Sequence, residues 1–380
     1  MELQSKLPTV GTTIFSVMSA LARKHEAINL SQGFPNYSSD HRLLELTNAY
    51  MQKGYNQYAP MIGVQLLRER IVQKVEKLYG AKVHPEQEIT ITVGATEAIF
   101  TAITAVVHPG DEVIIIEPAY DSYQPAIELA GGKVICYELA APDYRVDWEK
   151  MAGLVSEKTR MIIINTPQNP TGKTFSAQDM EALRKLVRAT NILILSDEVY
   201  EHLIYDGREH QSVLRYPDLW ERSFVSFSFG KTFHNTGWRI GYCLAPAFLM
   251  KEFRKVHQFN VFSIMTPIQH ALADFLEEPA SYMGLSDFYQ QKRDFLLEAM
   301  EGSRFRPLAC EGTYFCLFDY SEISEASDVD FAKQMTTDYG VAAIPVSAFY
   351  ANGRDERVIR LCFAKTEEVL EQAGELLQKV

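Results

Sequence analysis

The stretch Ser223-Phe224-Val225-Ser226-Phe227-Ser228-Phe229-Gly230-Lys231-Thr232-Phe233-His234-Asn235-Thr236-Gly237-Trp238-Arg239 decides how the chain is read. It opens with an apolar run of strand length, Ser223–Phe227, and a lysine follows directly on that run. Lysine is rarely buried without a partner, so a lysine delivered from the end of a buried strand needs a reason. One whose charge is suppressed by its surroundings is a nucleophilic amine, suited to bond with a carbonyl carbon. Ser228 and Arg239 flank it with a hydroxyl and a guanidinium fork, the groups an anionic phosphate calls for.

A carbonyl-reactive amine beside phosphate ligands points to pyridoxal 5'-phosphate held covalently at Lys231. The bland alternative is a solvated turn lysine. A sharper rival is a nucleotide-binding P-loop, because Gly230-Lys231-Thr232 and Gly172-Lys173-Thr174 both imitate its last three residues. That loop needs a glycine five places before its second glycine, and those places hold Val225 and Pro167. No G-x-G-x-x-G run occurs, so a dinucleotide fold would lack its phosphate turn.

Composition narrows the classes further. The chain has 380 residues, 47% of them hydrophobic, enough for more than one sizeable core. A net charge of −12 and a pI near 5.3 argue against nucleic acid or an anionic membrane surface as partner, since both require clustered Lys and Arg. The start, Met1–Pro8, lacks the apolar core of a signal peptide, and no apolar stretch approaches the roughly 18 residues of a membrane span. The expectation is a cytoplasmic protein with no membrane association. Five scattered cysteines, Cys136, Cys243, Cys310, Cys316 and Cys362, read as buried free thiols. Without a C-x-x-C pair or an H-E-x-x-H helix, no metal site is expected.

From about residue 88 to 245, short apolar runs alternate with helical periodicity, the pattern of a parallel sheet covered on both faces. The runs are Ile89–Val93, Val113–Ile116, Met161–Ile164, Ile192–Leu195 and Phe224–Phe227. Ala98, Ile99, Ala102, Ile103, Val106 and Val107 recur at helical spacing before Pro109-Gly110, and Ser176-x-x-Asp179 reads as a capping box opening a helix. After about residue 285 the order is helix Phe288–Met300, strand Thr313–Phe318, helix Asp330–Tyr339, strands Val341–Val346 and Arg357–Phe363, and a terminal helix from Glu367. This remainder reads as a second, α+β domain.

Ligands of an open parallel sheet bind beyond the carboxyl ends of its strands, so the residues just after each run carry the chemistry. Gly94, Ala95 and Thr96 open a helix whose free N–H groups and dipole suit a phosphate. Tyr120 follows the second run, with an aromatic face able to stack on a ring, and Tyr123 lies close behind it. Asn169 and Tyr200 supply an amide and a phenol for a ring oxygen. Asp197 supplies a carboxylate that would keep a pyridine nitrogen protonated, which makes the ring an electron sink. Each has a plain alternative, a helix cap at Gly94–Thr96, a turn at Asn169–Gly172 and an N-cap at Asp197. None of these alternatives explains why the groups occur together.

These motifs resemble the class I aminotransferases, and the resemblance runs over nearly the whole chain. It is carried by Asn169-Pro170-Thr171-Gly172, Ser196-Asp197-Glu198-Val199-Tyr200, Ser228-Phe229-Gly230-Lys231, Thr236-Gly237-Trp238-Arg239-Ile240-Gly241 and Ile359-Arg360-Leu361-Cys362-Phe363, in that order. Within the family the chain is similar to the methionine aminotransferase branch, related to kynurenine and glutamine aminotransferases. That likeness is carried by Gly11–Phe15, Asn29–Pro35, Asn56–Pro60 and Cys310–Phe315. The resemblance implies the aspartate aminotransferase fold, α/β with a mostly parallel seven-stranded sheet flanked by helices in a large domain (41–284), and a smaller α+β domain (285–380). Residues 1–40 would form an N-terminal arm and part of the small domain. It further implies a homodimer with the active site at the subunit interface, Tyr58 reaching the phosphate of the neighbouring subunit, and Gly33 near the substrate carboxylate. The ring-stacking position often carries Trp or Phe; here it is Tyr120, with Tyr123 as the alternative.

Arg360 interrupts the apolar run Val358–Phe363, and an arginine there requires a partner because its charge cannot be neutralised. The alternatives are an internal salt bridge and a bidentate clamp on an amino acid's α-carboxylate. The expected chemistry is transamination between an amino acid and a 2-oxo acid, with Lys231 as general base and acid and Asp197 and Tyr200 acting on the cofactor ring. A dicarboxylate substrate would need a second cation, and none is evident. Phe15, Ile264 and Met265, which the resemblance places around the substrate, are apolar, as methionine or aromatic side chains require. Such a pocket separates similar substrates weakly, since a methylene is worth about 1–3 kcal/mol. Two alternatives accompany this reading. One is a β-lyase using the same cofactor. The other is a non-catalytic ligand sensor, which would need a basic DNA-binding module; the matching stretches begin within the first thirty or so residues and leave no room for one.

Overall fold

The computed structural model describes residues 3–380; Met1 and Glu2, part of the stretch read for a signal peptide and of the 1–40 arm, lie outside it. The apolar runs between residues 88 and 245 become β2 (Ile89–Thr92), β3 (Glu112–Glu117), β5 (Thr159–Asn165), β6 (Leu193–Asp197) and β7 (Ser223–Ser228), following β1 (Ile28–Asn29). Two further strands join them, β4 (Lys133–Glu138) and β8 (Gly241–Leu244), in the order β2-β8-β7-β6-β5-β3-β4. Every pairing in this seven-stranded sheet is parallel except those of β8, which runs antiparallel to both β2 and β7.

The continuity of the runs has a direct cause. Alternate residues of each strand enter opposite cores: Ile114, Ile162, Ile194 and Val225 pack on one face, and Val113, Met161, Leu195 and Phe224 on the other. Burying a side chain of this size contributes about 1.5–3 kcal/mol. Helices Gly94–Val106 and Ala247–Asn260 cover the second face, the former through Ala98, Ile99, Ala102 and Ile103. On the first face, helix Ala177–Val187 starts at Ser176, whose hydroxyl and Asp179 form the reciprocal cap read from the sequence. No helix among the described residues is long and apolar enough to cross a membrane.

Further strands are β9 (Arg306–Pro307), β10 (Phe315–Asp319), β11 (Val341–Ala342), β12 (Ile344–Pro345) and β13 (Val358–Cys362). The second sheet runs β12-β13-β10-β9 and is antiparallel throughout. Helix Leu285–Ala299 packs on the terminal helix Glu367–Leu377. Two readings need correction here. The expected single strand Val341–Val346 is two short strands in different sheets, because β11 pairs with β1 while β12 pairs with β13. The strand expected from Thr313 starts at Phe315, because Thr313 has φ +66° and donates its N–H to the Leu203 carbonyl, turning away from the ladder. The β1–β11 pairing joins the N-terminal segment to the C-terminal part of the chain.

Candidate active site

The carboxyl ends of β2, β3, β5, β6 and β7 share one edge of the sheet, and the register brings their last residues side by side. Asn165 pairs with Asp197, Asp197 with Ser226, and Ser228 with Gly241. A cavity of about 260 Å³ opens there. Phe15, Gly33, Ala95, Thr96, Tyr120, Asn169, Asp197, Tyr200, Ser228, Lys231, Arg239 and Arg360 all line it, so twelve of the fourteen residues proposed from sequence face one space. Gly94 lies against Arg239 at its rim. Tyr58 is not brought to it: the side chain is 82% exposed and meets Phe262 instead. Of the two other residues expected around the substrate, Ile264 is buried in the core and Met265 is half-exposed, and neither lines this cavity; the apolar side chains on its wall are Phe15 and Phe315, with Ile99 and Val199.

Lys231 enters the cavity from the short helix Phe229–Thr232 that follows β7. Its Nζ donates to Tyr314 Oη at 2.7 Å and to the Gly33 carbonyl at 3.3 Å. Burial, reinforced by the charges of Arg239 and Arg360, pulls its pKa down to about 8, against the pull of Asp197. The lysine is therefore no solvated turn residue, and a sizeable neutral fraction exists near neutral pH. The Gly33 carbonyl also accepts from Tyr314 Oη at 2.5 Å, and Gly33 leaves no room for a side chain, since a Cβ would sit 2.7 Å from Phe315 Cζ.

Asp197 ends β6 and is buried, with no helix following it, which removes the N-cap reading. Its Oδ2 accepts from Tyr123 Oη at 2.6 Å and its Oδ1 from the Val199 N–H at 3.4 Å. Burial pushes its carboxyl up to about 6, opposed by the Tyr123 hydrogen bond, the Val199 amide and Lys231. Tyr123 is thus committed to Asp197, and Tyr120, its ring half-buried on the cavity wall, is the tyrosine free to stack. Tyr200 is buried and edge-on to Tyr314, with burial holding its phenol protonated.

At the phosphate end, helix Gly94–Val106 begins without a side-chain cap, leaving its first N–H groups free. Gly94 has φ +67°, and a Cβ there would lie 2.9 Å from Arg239 Nη2. Among the described residues Arg239 itself meets only neutral acceptors, the Thr236 carbonyl at 3.2 Å and Thr96 Oγ1 at 3.3 Å. A guanidinium, a hydroxyl and an uncapped helix start around a glycine cradle fit a phosphate monoester. An amine with a lowered pKa and a buried carboxylate fit its pyridine aldehyde.

Arg360 is 1% exposed, yet its partners are neutral: Asn169 Oδ1 at 2.7 Å and the Ser31 carbonyl at 3.0 Å. Its Nε has no partner among the described residues, and its guanidinium lies 3.8 Å from the centre of the Phe315 ring. The internal salt bridge weighed for this residue is absent among the described residues, and a buried guanidinium so placed calls for an anionic ligand. Asn169 accepts from Arg360 and is tied through its N–H to Asn165 Oδ1 at 2.8 Å.

Sequence reading did not assign roles to Tyr314, Asn165 and Phe315, and it weighed Tyr123 only for stacking. Asn165 had a signal, since it ends β5 as Asp197 ends β6. Tyr314 and Phe315 lie in the stretch Cys310–Phe315, which sets Phe315 on the cavity wall and Tyr314 against Lys231.

The fold and site define a class of protein. The family described as aminotransferase class I and II matches residues 25–377, and the chain belongs to that family. It is an aminotransferase, and its cofactor is pyridoxal 5'-phosphate. The chain is 52% identical to the methionine aminotransferase of Escherichia coli (strain K12), over 99% of this chain and 98% of that protein. It is 33% identical to kynurenine–oxoglutarate transaminase 1 of Homo sapiens, over 94% and 93%. Among solved structures, an Escherichia coli protein identified as having a methionine aminotransferase function superposes with TM-score 0.98 over the whole of both chains at 52% identity. The N-succinyldiaminopimelate aminotransferase of Mycobacterium tuberculosis does so with TM-score 0.95 at 34% identity, again over the whole of both chains.

Proposed function

We propose that this aminotransferase moves the amino group of methionine, and of other apolar or aromatic L-amino acids, to a 2-oxo acid. The observation that carries the reading is Arg360, a buried guanidinium without a carboxylate partner in the same cavity as Lys231. The apolar wall of Phe15 and Phe315 beside it, and the likeness to a methionine aminotransferase, support the substrate class.

Arg360 holds the α-carboxylate through its planar fork, and Asn169 steadies that fork. Lys231, a buried amine whose pKa is lowered to about 8, would take the proton from the substrate's Cα as general base and return it as general acid. Bound pyridoxal phosphate supplies the electron sink that makes the Cα proton acidic. Asp197 would hold its ring nitrogen charged, Tyr200 and Asn169 would bond its ring oxygen, and Tyr120 would stack on its face. Gly94, Ala95, Thr96, Ser228 and Arg239 would hold its phosphate.

The reading includes a homodimer in the cytoplasm, with Tyr58 completing the phosphate site of the neighbouring subunit. Its exposure in the single chain supports that role. The division into an arm (1–40), a large domain (41–284) and a small domain (285–380) belongs to the same reading. The test is direct: purified enzyme with methionine and a 2-oxo acid should yield the methionine-derived oxo acid and the new amino acid in equal amounts. Release of ammonia with pyruvate from a sulfur-conjugated substrate, and no oxo-acid exchange, would show a β-lyase instead.

A further inference from the structure

We propose that Tyr123 is a positioning residue for the reaction: its phenol fixes Oδ2 of Asp197 and sustains that carboxylate's charge inside the protein. The proposal rests on the reading of Asp197 as the partner of the cofactor's ring nitrogen. Three observations carry it. Tyr123 Oη donates to Asp197 Oδ2 at 2.6 Å, a length typical of a hydroxyl bonded to an ionised carboxylate. Both side chains are buried, Tyr123 at 3% exposure and Asp197 at 4%, so the bond lies out of bulk water. Tyr123 opens the helix Tyr123–Leu129, directly after the segment bearing Tyr120, so one short stretch supplies both the stacking ring and the support for the carboxylate.

The surroundings of Asp197 make that donor decisive. From its own segment, Glu198 contributes a like charge and Tyr200 a buried phenol; Lys231 contributes a cation from beyond β7, and Tyr120 a phenol from the segment after β3. Asn165, on the neighbouring strand, is spent on the Asp197 backbone carbonyl at 2.8 Å. Among the described residues, only Tyr123 gives the carboxylate itself a side-chain hydrogen bond. Burial raises the Asp197 carboxyl to about 6 even with that bond in place, and Tyr123 is the first of the groups opposing the rise. Burial and the facing carboxylate hold the Tyr123 phenol far above its ordinary value, so it remains a donor at every working pH. A hydrogen bond to a charged group shifts such an equilibrium by about one to two pH units.

The sign follows. Asp197 must be charged to hold a protonated ring nitrogen, and it loses charge as pH falls through its pKa. Without the Tyr123 hydroxyl that loss begins at higher pH. The experiment measures equilibrium binding of pyridoxal phosphate to cofactor-stripped protein between about pH 5 and 9, for wild type, Tyr123→Phe, Asp197→Asn and the double variant. The cofactor's own phosphate also titrates near pH 6, so the comparison between proteins carries the result. Tyr123→Phe should raise the pH of half-maximal affinity by about one to two units, and kcat with methionine at pH 7 should fall about tenfold or more. In the Asp197→Asn background, Tyr123→Phe should move neither quantity, because the group it serves is gone. Replacing Tyr123 with 3-fluorotyrosine, a more acidic donor of nearly the same shape, should lower the pH midpoint and keeps the test open if Tyr123→Phe melts. Coincident midpoints for wild type and Tyr123→Phe, or equal effects with and without Asp197, overturn the proposal. Near-normal turnover by Asp197→Asn would instead overturn the role given to Asp197 itself.

Discussion

Replacing Arg360 with lysine separates substrate recognition from structure at the residue on which the functional reading depends most. Lysine keeps one positive charge and loses the planar fork. In the free protein the fork holds Asn169 Oδ1 at 2.7 Å and the Ser31 carbonyl at 3.0 Å while leaving Nε without a partner. The capacity lost toward a ligand is therefore at least one charge-assisted hydrogen bond to the α-carboxylate, worth about 1.5–3 kcal/mol. At about 1.36 kcal/mol per tenfold, kcat/KM should fall roughly ten- to hundredfold. Because every amino acid presents the same α-carboxylate, methionine, phenylalanine and glutamate should lose by the same factor, and cofactor affinity should hold. Steady-state kinetics with each donor, a melting curve and a cofactor titration on one preparation measure all of this. A loss confined to one donor would show that Arg360 reads the side chain, and a fall in melting temperature with unchanged kcat/KM would return it to a structural role.

Lys231→Ala should fold and bind pyridoxal phosphate but not turn over. Borohydride reduction of the wild type followed by peptide mapping should find the cofactor mass on Lys231, and finding it on Lys173 would refute the assignment. Gly94→Ala places a methyl 2.9 Å from Arg239 Nη2 at a residue with φ +67°, where a left-handed conformation alone costs about 1–2 kcal/mol. Its affinity for pyridoxal phosphate should fall about tenfold or more while kcat at saturating cofactor changes less; wild-type affinity in a dialysis titration would show that the cradle does not hold the phosphate.

What the sequence determined by itself was local in origin. Five strands were legible because both of their faces are buried, which makes each a mostly apolar run without a charged residue, and the residues just past each run announced the chemistry. The edge strand β4 was missed because its residues are mostly half-exposed and interrupt that signal. The antiparallel β8 is short, and nothing in its own four residues states which neighbours it will have. The split of residues 341–346 between two sheets depended likewise on partners elsewhere, β1 at one end and β13 at the other.

The site divides in the same way. Lys231, Asp197, Asn169 and Arg360 could be named from sequence because each is a polar group set at or against an apolar run. Tertiary structure alone decided what each of them touches. Tyr123 reaches Asp197 across 74 residues, Tyr314 reaches Lys231 across 83, and Arg360 reaches Asn169 across 191. Periodicity records which face of an element is buried, since each residue's burial leaves its mark on that residue's own chemistry. It does not record which distant hydroxyl or carbonyl will stand opposite, because that follows from strand order and register, and those are settled by the packing of the whole chain.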